Sequence, residues 1–217
     1  MFVGHYGVAG AAKPAAKHVP LWVFFVAVQW LDVVWSVLVL LGIEKLRIVP
    51  GFTQANALDL YYMPYTHSLP GAAALSLLFG AAIALAYQQR YIATFGIVSA
   101  AAFSHWLLDL VVHVPDLPLY DDAAKVGLGL WRHVALSFPL ELVLLIAGTW
   151  MYARAVPAAT TKARAAPWAF VGLMVALQVY VNFGPPPPSE RMMAILALTL
   201  YVLLAAIAAW VERVRTT

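Results

Sequence analysis

The run over residues 91–114 is long and apolar enough to lie across a membrane, yet it carries His105, Asp109 and His113 at four-residue spacing. A four-residue step advances an α-helix by about 400°, so these side chains share one slowly drifting face. In hydrocarbon every backbone polar group must be satisfied within the protein, which leaves helices and closed barrels as spanning structures. Ionisable side chains inside such a segment are costly unless partnered. A chain built on this run is therefore committed to a helical bundle that supplies partners for the His/Asp/His face. Two imidazoles and a carboxylate on one face make half of a metal site or half of a proton relay.

Composition agrees with a bilayer environment. The 217 residues are 64% hydrophobic and 11% charged, whereas a soluble domain is nearer one half apolar and one quarter charged. The expected fold class is an all-α integral membrane protein, a bundle of about six transmembrane helices. It forms one transmembrane helical domain over residues 1–217, with the site-bearing part in 1–116 and the remaining helices in 130–211. The formal charge of +3 is small and dispersed, so no basic stripe points to nucleic acid. Cysteine is absent, which excludes disulfides, thiolate ligands and a cysteine nucleophile. Any metal must be held by nitrogen and oxygen. Lys13 and Lys17 precede an apolar run, but Trp30, Asp32 and Trp35 interrupt it where a signal peptide needs small residues. The run reads as a retained first span.

Taken in order, residues 1–12 are apolar, glycine-rich and too short to span, either a tail or a short helix tucked against the bundle. Spans are expected over 19–42, 66–90, 91–114, 130–155, 167–183 and 191–210. The first carries Gln29, Asp32 and Ser36 on one face. Residues 44–65 form a polar, aromatic-rich connection, and residues 116–125 an acidic loop. Residues 154–166 make a basic linker, and Pro185–Pro188 a short, stiff corner. With six spans, eight Lys and Arg fall on the side of both termini and five on the other. That leans toward cytoplasmic termini.

Alternate threading of these spans brings Asp32, His67, His105 and Asp109 into one half-membrane layer, with His113 nearer the surface. Neutral imidazole and carboxylate suit Zn²⁺, Mn²⁺ or Fe²⁺. In the metal reading His67, His105 and Asp109 are ligands. Asp32 is a further ligand or the carboxylate that orients an imidazole, and Gln29 hydrogen-bonds around them. Catalytic zinc keeps a position open for water and lowers its pKa to about 7. The bland alternative is an Asp–His hydrogen-bond network that only fixes helix packing. Glu141, just after Pro139, is a candidate general base or a partner of Arg132 or His133. His18 and His133 read as interfacial, and Asp121 and Asp122 as a solvated turn.

The order Thr66-His67-Ser68, then Ser104-His105-Trp106-Leu107-Leu108-Asp109, resembles the membrane-bound metal-dependent hydrolases related to the LexA-regulated inner-membrane protein of enteric bacteria. The resemblance covers about the first half of the chain. It implies His5, Asp32, His67, His105 and Asp109 as metal-site residues, and a bacterial inner membrane as location. The chain departs from the pattern at Trp30, where the hydrolases have an aspartate, and at Tyr62-Met63-Pro64, where they have His-Arg-Gly. Two ligands are thereby missing, which leaves either one metal or a site that no longer catalyses, with His113 as a compensating donor. His5 can reach the cluster only if residues 1–12 enter the membrane buried in protein.

The function expected is a membrane-embedded, metal-dependent hydrolase, zinc-dependent by its donor set, acting on a lipid-like or amphiphilic ester or phosphoester, with Asp32 and Glu141 as catalytic carboxylates. The partners expected are the lipid bilayer and such a substrate, and no nucleic acid. The alternative is a proton- or ion-coupled transporter, or a non-catalytic subunit of a membrane complex, using the same cluster. Haem ligation by His105 or His113 is a third reading.

Overall fold

Apolar segments long enough to span become helices here, and their breaks and ends decide where the polar side chains meet. The computed structural model describes residues 1–216. Residues 1–12 form the tucked helix α1 (Val3–Ala12), followed by a 3-10 turn over Lys13–Ala16. The expected span 19–42 is broken into α2 (Leu21–Ala27) and α3 (Trp30–Leu40), bent by 53°. At the break the Val28 carbonyl turns away from helical pairing and accepts from His105 Nδ1 at 2.7 Å. Such a break is tolerated at membrane depth because it is buried in protein.

The connection after α3 is a hairpin of β1 (Lys45–Ile48) and β2 (Leu58–Tyr62), antiparallel, with Arg47 opposite Asp59. α4 (Leu69–Leu85) opens on Ser68, whose side chain accepts from Gly71 N. At 17 residues, α4 is about 26 Å long, shorter than the 66–90 span expected and short of a typical bilayer core. α5 (Tyr91–Val112) ends two residues before position 114. Pro115 disfavours a helical conformation at Val114, and His113 caps α5 with extended backbone. α6 (Val134–Ala155), α7 (Thr161–Phe183) and α8 (Glu190–Thr216) complete the bundle. α7 starts six residues before the expected 167, because the Thr160 side chain accepts from Ala163 N at 3.1 Å and caps it there. Much of the basic linker is thus helix.

Among the described residues, α5, α6, α7 and α8 are long and apolar enough to cross a membrane. The bent pair α2–α3 adds a fifth if counted as one span, against the six expected. The elements run alternately between two ends. One end holds the β-hairpin, the His113–Arg132 segment and Pro185–Pro188. The other holds the turn at Lys13, the α4–α5 turn, the α6–α7 turn and the end of α8. That second end is tied by Lys13 Nζ to Glu212 Oε1 at 2.6 Å and by Leu21 N to Glu212 Oε2 at 2.7 Å. Arg215, buried, donates to the carbonyls of Ala153, Val156 and Ala163. Between the ends lies an apolar layer that includes Phe24, Val98, Ala102, Leu145 and Leu204.

α1 lies flush against α6 because glycines face each other. A Cβ at Gly148 would stand 1.8 Å from the Gly7 carbonyl oxygen, and one at Gly10 would stand 2.5 Å from the Gly148 oxygen. Small residues at a helix crossing let backbones approach to van der Waals contact, the main source of adhesion between helices in lipid. This contact carries His5 into the interior.

Candidate metal centre

The Asp109 carboxylate is the hub. Its Oδ2 lies 3.0 Å from His105 Nε2, 3.5 Å from His113 Nε2 and 3.8 Å from His67 Nε2. Its Oδ1 lies 3.2 Å from His5 Nε2 and accepts from the Met1 amine. Asp32 joins from α3, with Oδ1 3.4 Å from His67 Nε2 and 3.5 Å from His105 Nε2. Four imidazoles and two carboxylates from α1, α3, α5 and the ends of α4 and α5 thus meet at one point. Donors around one tetrahedral ion with bonds near 2.0–2.1 Å stand about 3.3 Å apart, the scale of these separations. Two sets have ligand atoms within 4.8 Å of one another, His5–His105–Asp109 and Asp32–His67–His105. They share His105.

The far nitrogens explain why the Nε2 atoms are available. His105 Nδ1 faces the Val28 carbonyl, which only accepts, so Nδ1 carries the proton. Thr66 Oγ1 donates to Glu44 Oε2 at 2.6 Å and so accepts from His67 Nδ1 at 2.8 Å. Asp116 Oδ1 accepts from His113 Nδ1 at 2.8 Å. Each ring therefore aims its Nε2 at the carboxylates, the arrangement by which carboxylates and carbonyls orient metal-binding histidines. His105 Nε2 and both nitrogens of His5 are buried with no hydrogen-bond partner. The His5 and His105 rings stack 4.0 Å apart. Orphaned buried nitrogens around two carboxylates fit a divalent cation, which supplies what no hydrogen-bond donor here does.

The cluster forms the floor of a cavity of about 820 Å³ lined by Asp32, His67, Asp109, His113, Glu141 and Tyr201, with mostly apolar walls. Asp32, with its side chain 20% exposed, is the open edge of a cluster whose other members are at most 3% exposed.

Sequence expectations divide here. Asp32, His67, His105 and Asp109 converge as expected. His5, implied by resemblance, arrives on the buried α1, and His113 reaches Asp109 although it lies beyond the helix. Gln29 does not join the site; its Nε2 donates to the Phe2 carbonyl at 3.4 Å, because the α2–α3 break turns it toward α1. Glu141 lines the cavity, but Oε2 accepts from Phe2 N at 2.7 Å and Gly4 N at 3.2 Å, and Oε1 from Gln178 Nε2 at 3.3 Å. It holds the start of α1, and its partners are not Arg132 or His133. His18 bonds Thr94 Oγ1 at the far end, and His133 is exposed at the start of α6. Asp122 pairs with Lys125 in an exposed turn.

Three residues were not singled out from sequence. Tyr201 donates to Asp32 Oδ2 at 2.8 Å; a tyrosine deep in an apolar span, whose hydroxyl needs a partner, was the signal. Glu44 is buried and accepts from Tyr65 N, Thr66 N and Thr66 Oγ1. Asp116 is the acceptor for His113. Nothing local distinguishes these two from loop carboxylates.

No family model matches the chain, and no curated protein or solved structure matches it. The site stands on its own geometry.

Proposed function

We propose that this chain is a membrane-embedded, metal-dependent hydrolase that cleaves an ester or phosphoester of an amphiphile. His67, His105 and Asp109 hold a divalent ion, zinc by donor set, with Asp32 beside them and His5 and His113 flanking. The resemblance of the first half of the chain adds the bacterial inner membrane as location. A bound ion would polarise the scissile carbonyl or phosphoryl oxygen and lower the pKa of a water. Asp32, on the cavity side and held by Tyr201, is the carboxylate that takes the water's proton. The water oxygen bonds to the acyl carbon or phosphorus, the bond to the alkoxide breaks, and the proton passes to that alkoxide. Glu141 remains a second carboxylate at the cavity wall.

One observation carries this reading: three Nε2 atoms within 3.8 Å of Asp109 Oδ2, each ring with its Nδ1 already engaged, on the floor of an apolar cavity. An ion-coupled relay needs a polar path to both faces, and the buried layer of Phe24, Val98, Ala102 and Leu204 lies between the cluster and the Lys13–Glu212 end. The test is elemental analysis of detergent-purified protein beside turnover of an amphiphilic nitrophenyl ester and phosphodiester. Stoichiometric metal is expected, lost in His105→Ala together with turnover. Metal-free wild type, or full metal content in His105→Ala, sinks the proposal.

A further inference from the structure

The cavity has a side as well as a floor. Its wall includes Val181 of α7 and Leu196 and Leu203 of α8, and these side chains are 43%, 52% and 52% exposed. All three lie on helices long and apolar enough to cross a membrane. These side chains line the cavity and keep about half of their surface accessible, so the cavity is not closed off along α7 and α8. Leu196, Thr199, Leu200 and Leu203 recur at helical spacing along one side of α8, so one continuous, mostly apolar strip of a candidate span lines the cavity. The roof differs in chemistry: Thr53, Gln54, Asn56 and Asn182 line it, beside Pro185–Pro188.

Depth completes the match. Asp109 and His105 lie three and seven residues before the end of α5 at Val112, about 5 and 10 Å beneath that end. Leu203 lies thirteen residues into α8, about 20 Å along it. The reactive cluster thus sits near the boundary between headgroups and hydrocarbon, and the strip runs deeper. A bilayer amphiphile has this polarity: a polar head, a scissile bond at the boundary, and a chain beyond. The cavity volume of about 820 Å³ lies within the range that encloses most of a small ligand.

We infer that the α7–α8 cleft is a lateral entrance that binds the acyl chain of a membrane lipid and delivers its head-side ester or phosphoester to the His/Asp cluster. This rests on the hydrolase reading for what happens at the cluster, but the binding of a chain is separable from it. The entrance is on the side of the β-hairpin, so it draws from that leaflet alone.

The full chain is reconstituted in vesicles of phosphatidylglycerol and phosphatidylethanolamine doped with phosphatidylethanolamine bearing a mid-chain diazirine. After irradiation, adducts are mapped by peptide mass spectrometry. Label is expected on Leu177, Ala197 and Tyr201, cavity side chains of α7 and α8, of which Ala197 is buried from the outer surface. Leu78 and Val143, exposed elsewhere on the bundle, report ordinary annular lipid. Leu200→Trp and the lipid-exposed Leu196→Trp should each lower cavity adducts about fivefold or more, the low end of what overfilling a packed site costs. Adducts on Leu78 and Val143 should not change. The Leu196 variant, at an exposed position, guards against misfolding at Leu200. Adducts confined to outer positions, or cavity adducts insensitive to both tryptophans, overturn the entrance. Metal content is read on the same samples: cavity labelling in metal-free protein upholds the entrance and removes the hydrolase, while stoichiometric metal without cavity labelling does the reverse.

Discussion

Tyr201 OH reaches Asp32 Oδ2 at 2.8 Å across the bundle, and it is the one hydroxyl donor to the carboxylate at the open edge of the cluster among the described hydrogen bonds. Tyr201→Phe should leave metal content intact and lower turnover about tenfold or more, the cost of losing a hydrogen bond to a charged group. Loss of metal in that variant would make Tyr201 part of the binding shell instead. Glu44 acts one step further out. Its carboxylate holds Thr66 Oγ1, which in turn holds His67 Nδ1. Glu44→Gln should weaken metal affinity about 10–100-fold, as expected when a ligand's outer partner is altered. Zinc titration against a competing chelator measures it, and unchanged affinity would mean that His67 is oriented by packing alone. At this scale the four-residue spacing of His105 and Asp109 was readable from sequence, because helix geometry alone aligns them. The roles of Glu44 and Asp116 were not, because their partners depend on how loops fold over the helix ends.

The decisive element is α1, ten residues without the length to span. Two devices hold it: the glycine crossing with α6, and the Glu141 carboxylate that accepts from Phe2 N and Gly4 N. Gly148→Leu drives a side chain into the Gly7 backbone and should destabilise the protein by about 3 kcal/mol, the upper end of overpacking, since backbone cannot rotate away. Glu141→Ala strips an acceptor from buried N–H groups at about 1–3 kcal/mol. Denaturation in mild detergent reads both, and a Gly148→Leu variant as stable as wild type would show that α1 is not packed there. The α2–α3 break belongs to the same scale. Residues 19–42 read as one span, and no proline or glycine within Val28–Gln29 announces the bend. The Val28 carbonyl released by the bend is engaged by His105, a residue 77 positions away, so the reason for the break is tertiary.

For the whole molecule, α6 separates the Tyr120 loop from the α6–α7 turn by one candidate crossing. The cysteine-free background allows a direct test. Tyr120→Cys and Ala159→Cys, both at exposed positions, should react with a membrane-impermeant maleimide from opposite sides. By its excess of Lys and Arg, the Ala159 end is the side expected to react from the cytoplasm. Labelling of both from one side would remove α6 as a span. The sequence by itself determined the apolar helical bundle and the four residues that meet at the core of its His/Asp cluster. Apolar length dictates helices in lipid, and ionisable groups in such helices must turn inward, so Asp32, His67, His105 and Asp109 had to look for one another. Only the tertiary structure decided that α1 is buried rather than free, that the first span is bent, that α4 is short, and that a cavity joins the cluster to the α7–α8 surface. Those outcomes depend on contacts between residues far apart in the chain, such as Gly7 with Gly148 and Tyr201 with Asp32, and helical periodicity carries no information about which distant faces meet.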